Sequence, residues 1–289
     1  MISRTEAITG RITREETSVD DNKRTALLRT LAEQVETLRT SDGWQHWLNV
    51  AAKFRTYSLN NQLLIAAQRP DATRVAGFRT WRQLGRHVRK GERGIRIVAP
   101  LIRRVTTDDR VHDPEQRAMI TGFKVVSVFD IAQTDGEELP DLTMPSVKVP
   151  DDSLLDRLIA TAREAGIAVD TVETAEEGTH GWYERERHTI TLVASYTRAE
   201  QTRTMLHELA HAHDGPHDGD TRSVRELVAE SAAYLVGVGH FGISMRDAST
   251  VYVASWGADT RTLEHLANRV RQVAGAVEEL VRTNADVTV

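Results

Sequence analysis

The sequence predicts an α+β protein in two domains, a small α+β domain followed by a mostly helical domain with a small sheet. Three observations support this prediction. The chain has 289 residues, enough for two hydrophobic cores. Apolar residues recur at helical spacing in some segments and alternate in others. A segment rich in Asp, Glu and Pro separates the two parts, so we divide the chain into residues 1–134, a linker over 135–152, and residues 153–289.

The composition limits the class of protein. Hydrophobic residues make up 40% of the chain and charged residues 27%, values typical of a soluble globular protein. The absence of cysteine excludes disulfides and thiolate metal sites and fits a reducing compartment. No apolar run is long enough to span a membrane, and the first residues do not form a signal peptide. We therefore expect a cytoplasmic protein with no membrane partner.

In the first domain, segments with apolar residues at helical spacing precede segments in which apolar residues alternate with others. A helix is predicted over residues 21–40, a second from Trp44, and a third that is capped by Ser58 and ends before Pro70. Two strands follow, one beginning at Ile95 and the other over residues 122–129, and these can pair with each other.

The same domain contains a strongly basic segment. Residues 53–104 have thirteen basic and two acidic side chains, a net charge of +11, whereas the whole chain has −5. This asymmetry favours a polyanionic partner, although a solvated basic face is the alternative. Tyr57, Phe78 and Trp81 lie among the arginines. Aromatic rings among cations suit single-stranded DNA, because bases stack on the rings, but Phe78 and Trp81 also fit a hydrophobic core.

The second domain begins with a helix capped near Asp152 or Ser153. Strands are predicted over residues 167–172 and from Thr189, and the last helix has an apolar stripe between Leu263 and Val281.

Between these elements lies a pattern typical of a metal site. His207 and His211 are four residues apart on a predicted helix, so both imidazoles lie on one face and can bind one ion. Glu208 lies beside that face, in the position of a general base that accepts a proton from water. A capping box formed by Thr197 and Glu200 marks the beginning of the helix. Because the chain has no cysteine, histidine and carboxylate side chains are the only strong ligands it can offer. The His-Glu-x-x-His pattern leads us to expect Zn²⁺ here, with Mn²⁺ as the alternative ion.

A second helix, predicted from Ser223 to Val238, provides a third ligand. Glu226 and Glu230 are four residues apart and share one face of it. We predict that Glu226 binds the metal and that Glu230 accepts a hydrogen bond from a ligand histidine.

Other interpretations of these residues stay open at the level of sequence. The two histidines could be solvated residues of an amphipathic helix, and Glu226 could form a capping box with Ser223 instead of binding a metal. His213 and His217, in or next to the turn that follows, are either loop residues or a further ligand.

Several segments together resemble the ArdC-type antirestriction proteins. The first domain is similar to their N-terminal domain over Tyr57–Ile65, Gln68, Ala76–Phe78, Trp81–Arg86, Lys90–Glu92, Gly94–Ile95 and Phe129–Thr134. The second domain is similar to their metallopeptidase-like domain over His207–Ala212 and Glu226–Glu230.

The resemblance implies a domain that binds single-stranded DNA, joined to a zincin-like metallopeptidase domain. Such proteins are encoded by mobile genetic elements and protect incoming DNA from restriction. The resemblance also supports Glu226 as the third ligand, with Glu230 four residues later. Candidate DNA contacts are the basic, aromatic and amide side chains of the first domain, namely Lys53, Arg55, Tyr57, Asn60, Asn61, Gln68, Trp81, Arg86, Arg89, Lys90 and Arg93.

Three functions follow as hypotheses. The chain could be a DNA-protection protein that acts through single-stranded DNA. It could be a regulatory zinc metalloprotease, a hydrolase that cleaves a repressor or a protein of a restriction system. It could also be a non-enzymatic DNA-binding protein whose metal is structural. Hydrolysis would further need an oxyanion donor, for which Tyr234, His240 and Tyr252 are candidates.

Overall fold

The computed structural model describes residues 25–104, 118–138, 151–243, 245 and 259–283 and has the predicted mixed α+β composition. The chain divides into two compact units. The first unit contains the described residues up to Gln34 together with Asn60–Glu138, and the second contains Val35–Leu59 together with the described residues from 151 onward. Within the described part of the chain, no helix combines the length and apolar character that a bilayer crossing requires.

The first unit is built around a three-stranded antiparallel sheet whose strands are, in spatial order, β1 (Val75–Gly77), β4 (Ala118–Asp130) and β3 (Ile95–Arg104). The predicted pairing of β3 with β4 is observed. A second sheet pairs β2 (Arg86–Val88) with β5 (Thr134–Gly136). The first unit therefore continues to Glu138, past residue 135, where we expected the linker to begin. The elements of the first unit are α1 (residues 25–37, the last three in the second unit), α3 (Leu59–Gln68, the first residue in the second unit), β1 (Val75–Gly77), α4 (Phe78–Gln83), β2 (Arg86–Val88), β3 (Ile95–Arg104), β4 (Ala118–Asp130), a 3-10 turn (Ile131–Gln133) and β5 (Thr134–Gly136).

The second unit combines a small sheet with long helices. The sheet has strand order β6-β8-β7, with β8 parallel to β6 and antiparallel to β7, so β7 is an edge strand. The elements are α2 (Ser41–Lys53), α5 (Asp151–Glu164), β6 (Ala168–Val172), β7 (Gly181–Glu184), β8 (Thr189–Val193), α6 (Arg198–His213), α7 (Arg222–Val236), a π-helical turn (Gly237–Phe241) and α8 (Thr260–Thr283).

Helix α2 packs in the second unit, whereas the sequence-based boundary assigned it to the first domain. Its two tryptophans, Trp44 and Trp47, are fully buried. The indole Nε1 of Trp44 donates to Ser231 Oγ at 2.9 Å, and the hydroxyl of Tyr234 donates to Asn49 Oδ1 at 2.6 Å. The periodicity of α2 predicted an apolar face, but it could not identify α7 as the surface that covers this face.

The outer edge of β3 in the first unit is covered by two amide side chains of α3. Asn61 exchanges two hydrogen bonds with the backbone of Val98, at 2.8 and 2.9 Å. Gln68 does the same with the backbone of Arg96, also at 2.8 and 2.9 Å. Two residues beyond Val98, Pro100 has no N–H to offer a further strand. These contacts protect the edge strand from pairing with another chain.

We predict that Asn61→Ala destabilises the first unit. The substitution leaves the N–H and C=O of Val98 without their partner, which lowers the free energy of unfolding by about 1–3 kcal/mol. Hydrogen-exchange mass spectrometry should locate the largest loss of protection in β3. The exposed neighbour Asn60 provides the control, because Asn60→Ala should leave this exchange unchanged. Equal protection of β3 in both variants would contradict the structural role of Asn61.

Candidate functional site

Helix α6 begins where its local sequence predicts. Thr197 is the N-cap, and its Oγ1 accepts the backbone N–H of Glu200 at 3.3 Å. The carboxylate of Glu200 in turn accepts the backbone N–H of Thr197 at 2.9 Å, which completes the predicted capping box. This start directs His207 and His211 to one face of α6, with their rings 4.7 Å apart.

Helix α7 begins earlier than predicted, and its cap removes one alternative. Thr221 is the N-cap, and its Oγ1 accepts the N–H of Val224 at 3.3 Å. Ser223 therefore lies inside the helix, so the capping-box explanation for Glu226 is wrong. The carboxylate of Glu226 lies instead beside the two histidines of α6.

The structure brings together His207, His211 and Glu226 in a group that could hold a metal ion. The two Nε2 atoms are 3.1 Å apart. Glu226 Oε2 lies 3.3 Å from Nε2 of His207 and 3.7 Å from Nε2 of His211. Ligand atoms arranged tetrahedrally around Zn²⁺ at bond lengths of about 2.0–2.1 Å are roughly 3.3–3.4 Å from one another. The separations and the donor types of the three residues fit one divalent cation.

Glu230 orients the first histidine. Its Oε2 lies 3.0 Å from Nδ1 of His207, on the opposite side of the ring from Glu226. A proton on Nδ1, donated to Glu230, leaves the Nε2 lone pair directed towards the cluster. This is the geometry that the spacing of Glu226 and Glu230 predicted.

The site concentrates negative charge. Burial lowers the pKa of His207, but the hydrogen bonds that it donates to Glu226 and Glu230 outweigh burial and raise this pKa to about 10. The hydrogen bonds that Glu226 accepts, first that from His207 and second that from His211, hold the pKa of Glu226 well below its usual range. These shifts show that a positive charge is strongly favoured among these side chains.

Glu208 lies next to the cluster on α6 and is buried. Burial raises the pKa of its carboxyl group, while the two histidines and a hydrogen bond from the backbone of Tyr183 in β7 lower it. His207 and Glu208 line two cavities, of about 350 and 580 Å³, and Gly181 of β7 also lines both. A cleft therefore runs past the carboxylate of Glu208 along the edge strand.

A buried ion network connects α8 to both ends of the loop between α6 and α7, and sequence analysis did not identify it. Arg269 donates from Nε and Nη2 to the two carboxylate oxygens of Asp214 at 2.7 and 2.6 Å. The same Nη2 lies 2.7 Å from Oδ2 of Asp220. Because Asp214 follows α6 and Asp220 precedes α7, Arg269 fixes the position of one helix relative to the other. The three residues are distant in sequence, so no local pattern could have indicated this contact.

The other histidines and tyrosines that the sequence suggested lie outside this cluster. His217 Nε2 is 3.4 Å from Asp214 Oδ1, and burial lowers the pKa of His213. Tyr234 donates its hydroxyl to Asn49, and burial lowers the pKa of His240. Tyr252 lies outside the described residues.

Several candidate DNA contacts of the first unit instead have structural partners. Trp81 is fully buried, and its Nε1 donates to the carbonyl of Phe129 at 2.9 Å, so its ring offers no exposed face to a base. Arg86 donates to the hydroxyl and the carbonyl of Thr134 at 2.8 and 2.9 Å. Arg89 pairs with Glu92 at 2.9 Å, and Asn61 and Gln68 bind the edge of β3. Asn60, Lys90 and Arg93 are exposed.

The remaining three candidates belong to the second unit. Arg55 pairs with Glu278 at 2.7 Å, and the backbone carbonyl of half-buried Tyr57 accepts a hydrogen bond from Arg271. Lys53 is exposed at the end of α2.

We predict that Arg269→Met destabilises the second unit. Removal of the guanidinium leaves buried carboxylates uncompensated, which lowers the free energy of unfolding by about 3–5 kcal/mol. Arg282→Met is a matched control, because Arg282 pairs with Glu279 at the surface and should have little effect. Chemical denaturation of both variants followed by circular dichroism tests this. Equal midpoints for the two variants would show that the ion network is not needed.

Comparisons with known proteins agree with the sequence motifs. Residues 22–129 match the N-terminal domain of the anti-restriction factor ArdC. An uncharacterized protein of Bacillus anthracis is 27% identical over 277 residues, a match that covers 81% of this chain and 46% of that protein. The chain therefore spans about half the length of this relative.

The fold is also similar to that of solved structures. These include the metal-free and the Mn(II)-bound crystal structures of the antirestriction protein ArdC from plasmid R388, each with a TM-score of 0.51 and 22% sequence identity. The similarity covers 78% of this chain and 86% and 85% of the two solved chains. The resemblance predicted from the sequence is thus confirmed: residues 22–129 match the family model of the ArdC N-terminal domain, and the fold is similar to that of the R388 protein.

Proposed function

We propose that this chain protects DNA from restriction by binding single-stranded DNA through its first unit, while its second unit holds a divalent metal ion. The observation that carries the proposal is the match of residues 22–129 to an anti-restriction domain. That region overlaps the segment of net charge +11. A protein that binds the phosphate backbone needs positive charge but does not depend on the base sequence. Such binding suits the protection of any incoming DNA.

His207, His211 and Glu226 would hold the metal. Two imidazoles and a carboxylate suit Zn²⁺ and also accept Mn²⁺, the ion bound in one structure of the R388 protein. When bound, the ion would act as a Lewis acid and make water a better nucleophile near neutral pH. Glu230 would keep His207 in the tautomer that directs Nε2 to the ion.

A second candidate function is proteolysis, and the surroundings of Glu208 favour it. The carboxylate of Glu208 lies beside the ligand histidines and lines both cavities, where it can accept a proton from water. Strand β7 at the edge of the sheet could pair with an extended peptide in the same cleft. The substrate would then be a protein, such as a repressor or a restriction subunit.

The metal-binding proposal predicts the effects of single substitutions. His207→Ala, His211→Ala and Glu226→Ala should each abolish binding of Zn²⁺ and Mn²⁺ in titration calorimetry. Glu230→Gln should weaken it by about 10–100-fold, because the ligand histidine loses its orienting partner. His217→Ala is the control, since His217 lines the cleft outside the ligand group and should keep the wild-type affinity. Wild-type affinity in Glu226→Ala would remove Glu226 from the ligand set.

The role of hydrolysis can be separated from that of DNA binding. Glu208→Gln should retain the metal and the affinity for single-stranded DNA, because Glu208 is neither a proposed ligand nor in the basic segment. We expect this variant to protect unmodified DNA on entry into a restricting host as well as the wild type does. The measurement is the recovery of transferred plasmids in restricting and non-restricting hosts.

Two other outcomes would change this assignment. Loss of protection in Glu208→Gln, with metal and DNA binding intact, would establish the proteolytic function instead. Wild-type protection in both Glu208→Gln and the metal-free variant His211→Ala would mean that the metal is dispensable for protection. No binding of single-stranded DNA by the wild type would refute the proposed function.

A further inference from the structure

The first unit contains a groove of about 930 Å³ next to the turn that joins β2 to β3. Most of its lining residues are polar or charged, although Ala26, Leu27 and Ile95 also line it. Three arginines, Arg69, Arg93 and Arg96, line it together with the hydroxyl residues Thr30 and Ser127. Of these five residues, only Arg93 was predicted from the sequence as a DNA contact.

The turn that presents Arg93 is rigid. The buried amide of Gln133 donates to Glu92 Oε2 at 3.0 Å and to the carbonyl of Arg93 at 2.9 Å, and its oxygen accepts the N–H of Asp130 at 2.9 Å. Arg89 donates to Glu92 Oε1 at 2.9 Å. Because Gln133 and Arg89 hold both oxygens of Glu92, this carboxylate is already paired within the turn. The groove therefore presents its positive charges to a ligand in a fixed arrangement.

Two arginines of the groove, Arg93 and Arg96, are available to bind an anion. Among the described residues, no carboxylate forms an ion pair with Arg93 or Arg96, and both side chains are exposed. Arg69 lines the same groove, with its Nε 3.6 Å from Oδ1 of the exposed Asp71.

We propose that this groove binds the phosphodiester backbone of a nucleic acid strand, with Arg69, Arg93 and Arg96 as the phosphate contacts. A guanidinium presents paired N–H donors that match two phosphate oxygens, and hydroxyl groups such as those of Thr30 and Ser127 commonly complete phosphate sites. This inference deepens the proposed DNA-binding function and rests on it.

The test measures binding of a labelled single-stranded oligonucleotide to the full chain by fluorescence anisotropy over a salt series. The double variant Arg93→Gln/Arg96→Gln should bind about tenfold more weakly at physiological salt. Its log–log salt slope should decrease in magnitude by about 1.4, which is about 0.7 for each phosphate no longer neutralised. The control Arg79→Gln/Arg82→Gln removes the same charge from exposed positions of α4 outside the groove and should change the slope much less.

The results separate the groove from the proposed function. If the wild type binds the strand and the groove variant binds it equally well, the groove is not the site, although DNA binding stands. If both double variants lose the same affinity, only total charge matters and the groove assignment is wrong. If the wild type does not bind, the proposed function fails and the groove proposal fails with it.

Two further ligands distinguish a backbone site from a site for free phosphate. An oligonucleotide with neutral methylphosphonate linkages should bind the wild type weakly, and the groove variant should discriminate much less between it and the natural strand. Inorganic phosphate at the same phosphate concentration should not displace the natural strand. Displacement would assign the groove to free phosphate and overturn the backbone proposal.

Discussion

The second unit is organised around a concentration of like charge. Glu208, Glu226 and Glu230 bring three carboxylates to the imidazoles of His207 and His211, in a position where water only partly screens them. Such a group is stable only when a positive charge lies among its members, either as protons on the histidines or as a metal ion. The pKa of His207 is elevated because the neighbouring carboxylates stabilise the protonated imidazole. A divalent cation meets it better than a proton, because it can contact all three ligand residues at once.

This constraint explains why distant parts of the unit are tied together. The ligand atoms lie on two helices, so the site exists only if α6 and α7 keep their relative position to within a fraction of an ångström. The capping box at Thr197 sets the start of α6, and the cap at Thr221 sets that of α7. Arg269 then joins the two ends of the connecting loop through Asp214 and Asp220. Local capping positions each helix along its own axis, and the buried ion network fixes the distance between them.

Features with a local cause could be predicted from the sequence, and features that depend on distant partners could not. The start of α6 and the shared face of Glu226 and Glu230 follow from spacing within one helix. The packing of α2 in the second unit depends on the surface that its tryptophans meet, which spacing does not reveal. Asn61 and Gln68 are candidate DNA contacts in segments that resemble the ArdC-type domain, and no local pattern indicated that both bind the backbone of β3. The contacts by which the guanidinium groups of Arg86 and Arg89 hold turns of the first unit also join residues that are distant in sequence, such as Thr134 and Ala132.

The position of Glu208 bears on whether the metal site is structural or hydrolytic. A structural site needs its ligands and the groups that orient them, and His207, His211, Glu226 and Glu230 already meet that need. Glu208 is no part of the ligand group, and its burial carries a desolvation cost that the two histidines and a backbone hydrogen bond from Tyr183 only partly offset. An apolar residue would pack there without that cost. Glu208 nevertheless lines both cavities of the cleft, where its carboxylate can accept a proton from water. This arrangement supports an open catalytic site over a closed structural one, and it makes Glu208→Gln the substitution that separates the two.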